Sequence, residues 1–212
     1  MTTVTLTSVN VGVLEKLSPT SKSRTGIRKT PVGGNILCDT LGLVGDAVGN
    51  HKHHGGPDQA VYLYSAADYA WWSDQLGTPC TAGHFGENLT LDAWWETPRA
   101  GDQVQFGDVL LELTAPRIPC STLATRMGDP RFVDRFAKAV RPGAYARVLQ
   151  AGTIVAGTTG RVTHANESWS SINDLFALWL DPRAPRKMLL KALRAPVGIR
   201  LRERFLQRAT AD

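Results

Sequence analysis

Between Val4 and Val162 apolar residues recur in short alternating segments cut by glycine and proline, which restricts this stretch to an architecture of short strands. Val4, Leu6 and Ser8, then Val9, Val11 and Val13, alternate with a change of phase, the pattern of a bulged strand. Val104 and Phe106, then Val109, Leu111 and Leu113, alternate across Gly107-Asp108 and predict a hairpin. Arg147-Val148-Leu149 and Thr153-Ile154-Val155 flank Gly152 and predict a second. Many short strands with regular turns point to a barrel or a sandwich.

Two helices interrupt this region. Ser65-Ala66-Ala67-Asp68 has the spacing of a capping box and predicts a helix to about Leu76, with Tyr69, Trp72 and Leu76 on one face. Asp129-Pro130 predicts a second start, a capping side chain followed by proline at the first helical position. Phe132, Val133, Phe136, Ala137 and Val140 form its apolar stripe, and Pro142-Gly143 ends it. After about His164 strand signals stop. Three short helices are predicted at 171–180, 185–194 and 197–208, punctuated by Pro182 and Pro196. The expected organisation is mainly β with helices: a β-barrel domain over 1–165 and a small C-terminal three-helix unit over 170–212.

The balance of 42% hydrophobic and 20% charged residues supports a substantial core and argues against disorder. The net charge of +5 is placed unevenly. Residues 170–212 hold nine Lys or Arg against four Asp or Glu, while the rest of the chain is balanced. A basic helical tail can meet nucleic acid or an acidic partner, but a solvated face is the commoner reason for one, and nucleic acid is not the expected partner. Cys38, Cys80 and Cys120 are widely spaced with no Cys-x-x-Cys pair, which speaks against a zinc ribbon or a thioredoxin-like site and for a reducing compartment. The N-terminus lacks the basic and apolar blocks of a signal peptide, and no apolar run approaches the ~18 residues of a membrane span. A cytoplasmic location without membrane contact is expected.

Four segments carry candidate chemistry. The first is Ala115-Pro116-Arg117-Ile118-Pro119-Cys120. Its two prolines hold an extended approach, offering a thiol from a stiff loop with Arg117 nearby. A cation there favours the thiolate, the form that ligates metals and attacks electrophiles. A plain buried cysteine is the competing reading. The second is Gly42-Leu43-Val44-Gly45-Asp46 with His51-Lys52-His53-His54-Gly55-Gly56-Pro57-Asp58. It fits a glycine-lined cradle for an anionic cofactor, a histidine metal site at His51, His53 and His54, or a polar surface loop. The third is Phe85-Gly86-Glu87-Asn88-Leu89-Thr90, where Glu87 and Asn88 can turn into a cavity or simply decorate a turn. The fourth is Gly26-Ile27-Arg28-Lys29-Thr30-Pro31-Val32, where strand alternation can send Arg28 or Lys29 inward.

Taken in order, these segments resemble the MOSC family (molybdenum cofactor sulfurase C-terminal domain), in its YiiM-like stand-alone bacterial branch. The likeness rests on Ile27–Val32, Leu41–Asp46, His54–Val61, Phe85–Leu89, Gly101-Asp102 and Pro116–Cys120, and runs through Arg126–Asp129 and Arg147–Leu149 to Gly157. The resemblance implies a MOSC-type β-barrel and a molybdenum cofactor of the molybdopterin type. Cys120 would be the thiolate ligand of the metal. Arg28, Lys29, Gly45, Asp46, His54, Gly55, Gly56 and Arg117 would bind the cofactor, and Glu87 and Asn88 would bind pterin or position substrate. Pyridoxal phosphate is a further association at family level only. The implied activity is reduction of small N-hydroxylated compounds, such as hydroxylaminopurines, to amines. That takes two electrons per turnover from a separate reductase, since the chain shows no flavin, iron–sulfur or haem motif. The alternative is a carrier that holds the cofactor or a persulfide on Cys120 without turnover.

Overall fold

The computed structural model describes residues 1–50 and 54–211. Its strands are β1 (Thr2–Val11), β2 (Glu15–Lys16), β3 (Arg24–Thr25), β4 (Thr30–Val32), β5 (Ile36–Asp39), β6 (Gly42–Leu43), β7 (Val61–Ser65), β8 (Leu89–Leu91), β9 (Gln103–Phe106), β10 (Val109–Pro116), β11 (Ala144–Gln150), β12 (Gly152–Ile154) and β13 (Thr159–Thr163). Seven of them close a barrel in the order β13-β9-β10-β11-β7-β8-β1, with β1 returning to β13. The β7–β8 pair is parallel, and the other pairs in the barrel are antiparallel. The mainly-β barrel expected from the alternating segments is present.

Strand β1 carries the predicted bulge. Its register against β8 shifts between Leu6 and Ser8. Thr2–Thr5 pair with β13, and Val9–Val11 pair with β4. The β9–β10 hairpin also forms as expected, with Val109 opposite Phe106 and Gly107 in the left-handed region at φ 57°. The second expected hairpin does not form. β12 leaves the barrel and pairs with β5 in a separate sheet of β12, β5 and β6. Gly152 passes close to the β9–β10 turn, where a side chain would press on Asp108 and Val109, and Ile154 is buried. Local alternation carried no information on this choice.

Helix α1 (Ala66–Leu76) begins at Ser65, whose hydroxyl accepts the Asp68 N–H at 3.1 Å and donates to the Asp68 carboxylate at 2.8 Å. A short helix that the sequence reading missed, α2 (Ser121–Met127), follows Cys120 directly. Helix α3 (Phe132–Ala139) starts two residues later than expected, because Asp129 closes the preceding turn, taking the Arg131 N–H at 2.8 Å and the Phe132 N–H at 2.9 Å. Helices α1 and α3 clasp an aromatic cluster around Phe85, which touches Tyr64, Tyr69, Trp72, Phe132 and Phe136.

The C-terminal helices lie where predicted: α4 (Ile172–Leu180), α5 (Arg186–Ala192) and α6 (Ile199–Thr210). Helix α4 packs on β10, and Leu175, Leu189, Leu201 and Phe205 join the barrel's own hydrophobic cluster. Much of the basic excess is spent inside this unit. Arg186 donates to the Ala209 carbonyl, Arg202 to Ala195 and Arg208 to Leu178, while Arg204 covers the Trp179 ring. Cations near helix C-termini satisfy carbonyls that lack intrahelical partners. Among the described residues no helix is long and apolar enough to cross a membrane.

Phe85 is fully buried at the centre of the aromatic cluster. Phe85→Ala is expected to destabilise the fold by about 3–5 kcal/mol. Leu149→Ala, at an exposed side chain, is expected to stay within about 0.5 kcal/mol. Urea denaturation followed by circular dichroism reads both.

Candidate functional site

Strand β10 ends at Pro116, and the next four residues run to Cys120, whose extended backbone (φ −141°, ψ 170°) caps α2. The Cys120 carbonyl accepts the Ala124 N–H at 3.1 Å. The thiol is half-buried, facing a cavity of about 440 Å³ at the end of the barrel. Lys29, Asp46, His54, Asn88, Arg117 and Cys120 supply its polar lining, and Tyr62 and Tyr145 form an aromatic wall. This volume lies in the range of small-molecule and cofactor sites.

Arg117 is 3% exposed. Its guanidinium donates to the Phe85 carbonyl and lies 5.2 Å from the Tyr62 ring centroid. Among the described residues it has no carboxylate within ion-pair distance, and its Nε has no hydrogen-bond partner. A buried charge without a counterion is costly, so this cavity is built to receive negative charge.

The Cys120 thiolate is one such charge. Burial pushes the thiol up, but a hydrogen bond with His54, the Arg117 charge and the Leu123 N–H outweigh it and bring the thiol down to about 6. Burial prevails on the other two: it drives Cys38 up to about 12, with the Asp39 charge adding to the rise, and raises Cys80 against a hydrogen bond with Ser73. The bottom-up reading of Cys120 as a reactive thiol beside a cation therefore agrees with its surroundings, and the plain buried cysteine is Cys38.

Lys29 and Asp46 pair in the cavity wall, with side chains 7% and 9% exposed. Burial holds the Lys29 ammonium below its ordinary value, with Asp46 opposing. Asp46 also accepts the Gly12 N–H and the Asn88 amide, each at 2.8 Å. Asn88 in turn accepts the Tyr62 N–H at 3.1 Å. Lys29 is thus neutralised within the protein, and Arg117 is not.

The structure gathers Lys29, Asp46, His54, Gly55, Asn88, Arg117 and Cys120 around one cavity. It does not bring four other expected residues there. Arg28 turns to the β2–β3 hairpin, donating to Glu15 at 2.8 Å and to the Leu17 carbonyl at 3.0 Å, while its neighbour Lys29, in the loop between β3 and β4, pairs with Asp46. Gly45 is exposed, with open space where a side chain would stand. Gly56 lines a separate cavity against α6. Glu87 is fully buried, accepting the Phe85 N–H at 3.2 Å, the Thr90 hydroxyl at 3.0 Å and the Tyr69 hydroxyl, so it shapes the Gly83–Asn88 turn from behind. His51 and His53 lie outside the described residues. Among the described residues no three His, Cys, Asp or Glu side chains converge as metal ligands. Tyr62 and Tyr145 were missed by the sequence reading, since a tyrosine in a β segment has no local mark of facing a cavity.

Only Cys120 has its thiol shifted toward the thiolate. Alkylation of Cys120 by iodoacetamide is expected to rise with pH through about 6, while Cys80 responds only above its ordinary value. In denaturant both return to the ordinary thiol range near 8.5. Mass spectrometry of peptides after timed labelling reads the profile. A Cys120 curve that stays near 8.5 in the folded chain contradicts the placement of Arg117 and His54.

Residues 50–159 match the model of the MOSC domain. A Bacillus subtilis protein described as the uncharacterized protein YflK is 30% identical over 167 residues, which cover 78% of this chain and 76% of that one. A Gibberella moniliformis protein named "Reductase" is 32% identical over 174 residues, covering 79% of this chain and 31% of that longer one. The crystal structure of YiiM from Geobacillus stearothermophilus superimposes with a TM-score of 0.81 at 26% identity, covering 98% of this chain and all of that one. The match to the domain model spans more than half of the sequence and includes the His54 loop, the Asn88 turn and Cys120, and on it the chain belongs to the MOSC domain family.

Proposed function

We propose that this chain is a molybdenum-cofactor oxidoreductase that reduces N-hydroxylated compounds to amines. The observation that carries the reading is the Cys120 thiol beside the buried Arg117 guanidinium, which has no carboxylate partner among the described residues, in a cavity large enough for a cofactor. The residues present fit a molybdopterin-type group. Arg117 has an orphaned buried Nε for an anionic ligand. A cysteine thiolate suits a soft metal that is also held by the sulfurs of a pterin, and Cys120 lines the cavity. Tyr62 and Tyr145, packed together with ring centroids 5.1 Å apart, give the cavity an aromatic side.

In this reading Cys120 ligates the metal, and the bound group supplies two-electron oxo-transfer chemistry. Arg117 and the Cys120 approach loop bind its negative charge. Lys29, locked to Asp46, and Asn88 give the wall a fixed hydrogen-bonding pattern. His54 holds a polar hydrogen at the Cys120 sulfur and keeps it oriented. Glu87, Arg28, Gly45 and Gly56 support the surrounding loops without touching the ligand. Electrons come from a separate reductase. The relative named "Reductase", of which the matched segment is under a third, supports reading this unit as one part of a reduction system.

A thiolate at neutral pH also suits persulfide transfer, so the test separates the two. Protein from a host that makes the cofactor is expected to hold near-stoichiometric molybdenum and pterin and to reduce a hydroxylaminopurine when supplied with a reductase. Cys120→Ala is expected to abolish the activity with the fold intact, and Cys80→Ala to change neither. Arg117→Leu is expected to weaken metal retention about 10- to 100-fold, the range for residues that surround a metal's ligands. Stoichiometric sulfane sulfur on Cys120 with no reductase activity assigns the carrier role instead, and a fully active Cys120→Ala protein removes Cys120 from the metal.

A further inference from the structure

The segment that brings His54 to Cys120 contains two consecutive glycines, Gly55 at φ 69° and Gly56 at φ 85°, both in the left-handed region. Such a segment has little intrinsic stiffness, because glycine leaves many backbone states open. Its shape must be imposed by contacts from outside. From the barrel side, the Thr114 hydroxyl donates to the Asp58 carbonyl at 2.6 Å, and Arg147 pairs with the Asp58 carboxylate at 3.0 Å. From the other side comes helix α6. The Ile199 N–H donates to Asp58 at 2.7 Å, and the Arg200 guanidinium donates to the Gly55 carbonyl at 2.9 Å, the His54 carbonyl at 3.4 Å and the Gln59 side chain at 2.5 Å. Arg200 therefore reaches both ends of the Gly55-Gly56 step.

We propose that Arg200 is a positioning residue for His54, so that the C-terminal helical unit is part of the working site: α6 holds the His54–Gln59 segment in the one shape that sets the imidazole against Cys120. The planar fork of arginine is suited to this, since one rigid group bridges several acceptors at once. The inference rests on the Cys120 cavity being the working site and does not depend on which chemistry occurs there. It gives the helical unit a second role beside its share in the common hydrophobic core, since the first turn of α6 meets a site loop. It also sets Arg200 apart from Arg208, which donates to the Leu178 and Asp181 carbonyls within the C-terminal unit alone.

The test is made on the full chain without added ligand. Histidine is labelled with ¹³C, and the His54 ring signals are assigned by their loss in His54→Ala. In the parent chain Cys120→Ser is expected to shift the His54 ring signal. Arg200→Ala is expected to move that signal and to abolish its response to Cys120→Ser. Arg208→Ala is expected to leave both unchanged. Arg200→Lys, which keeps the charge and the apolar stem but not the fork, is expected to behave like Arg200→Ala, and it decides the matter if the alanine variant fails to fold. A His54 signal in the Arg200 variants that still responds to Cys120→Ser as in the parent overturns the proposal. A parent chain that binds no molybdenum defeats the proposed activity and leaves this readout intact, so the two failures are distinct.

Discussion

The bulge in β1 is the constraint on which the barrel and the site both depend. A strand with a strict period of two cannot feed the core at one end and a polar cavity wall at the other. The register shift between Leu6 and Ser8 changes the phase, so Val4, Leu6 and Val9 go to the core and Asn10 is buried as well. The first half of β1 closes the barrel on β13, and the last residues pair with β4, the strand that follows Lys29. Asn10 then donates to Thr90 at 3.0 Å beside Glu87, and the Gly12 N–H donates to Asp46. One strand, bent by one extra residue, thereby closes the barrel on β13 at one end and leads at the other to the Gly12 contact with Asp46, which lines the cavity.

From that wall outward the site is organised by an imbalance of charge. Two buried cations face the cavity, and they are treated differently. Lys29 has Asp46 within the protein; Arg117 has a carbonyl, a ring face and an orphaned Nε. A low-dielectric site makes such an unpaired charge act strongly on its neighbours. Cys120 feels it, together with His54, and its thiol falls while those of Cys38 and Cys80 rise. Three chemically identical side chains are thereby driven in opposite directions by burial and neighbours alone.

The basic C-terminal region is a structural unit first. Its arginines end helices, cover a tryptophan and tie α6 to the His54 segment, so the positive excess seen in composition is largely an inventory of intramolecular donors. The Ile172 N–H at the start of α4 donates to the Pro98 carbonyl at 2.8 Å and joins the two parts, beside the fully buried Asp102, which accepts the Trp95 indole at 2.7 Å, the Arg99 N–H at 2.9 Å and the Ala165 N–H at 2.7 Å.

By itself the sequence determined the things that depend on near neighbours: the bulge from a phase change in β1, the β9–β10 hairpin from alternation across Gly107-Asp108, the capped start of α1, the three C-terminal helices, and a thiol presented on a proline-stiffened loop. The ordered motifs also made the family legible. What only the tertiary structure decided depends on partners far apart in the chain. β12 pairs with β5, far earlier in the chain, and not with its neighbour β11. Lys29 and not Arg28 faces the cavity because Asp46 waits there, and Glu87 stays behind it because the Tyr69, Thr90 and backbone donors around it surround its carboxylate. Arg200 reaches the His54 loop across almost 150 residues of chain. Alternation and capping act over a few residues and are written locally, whereas the pairing of buried charges and the direction of a cavity-facing side chain are settled only when distant segments are packed against one another.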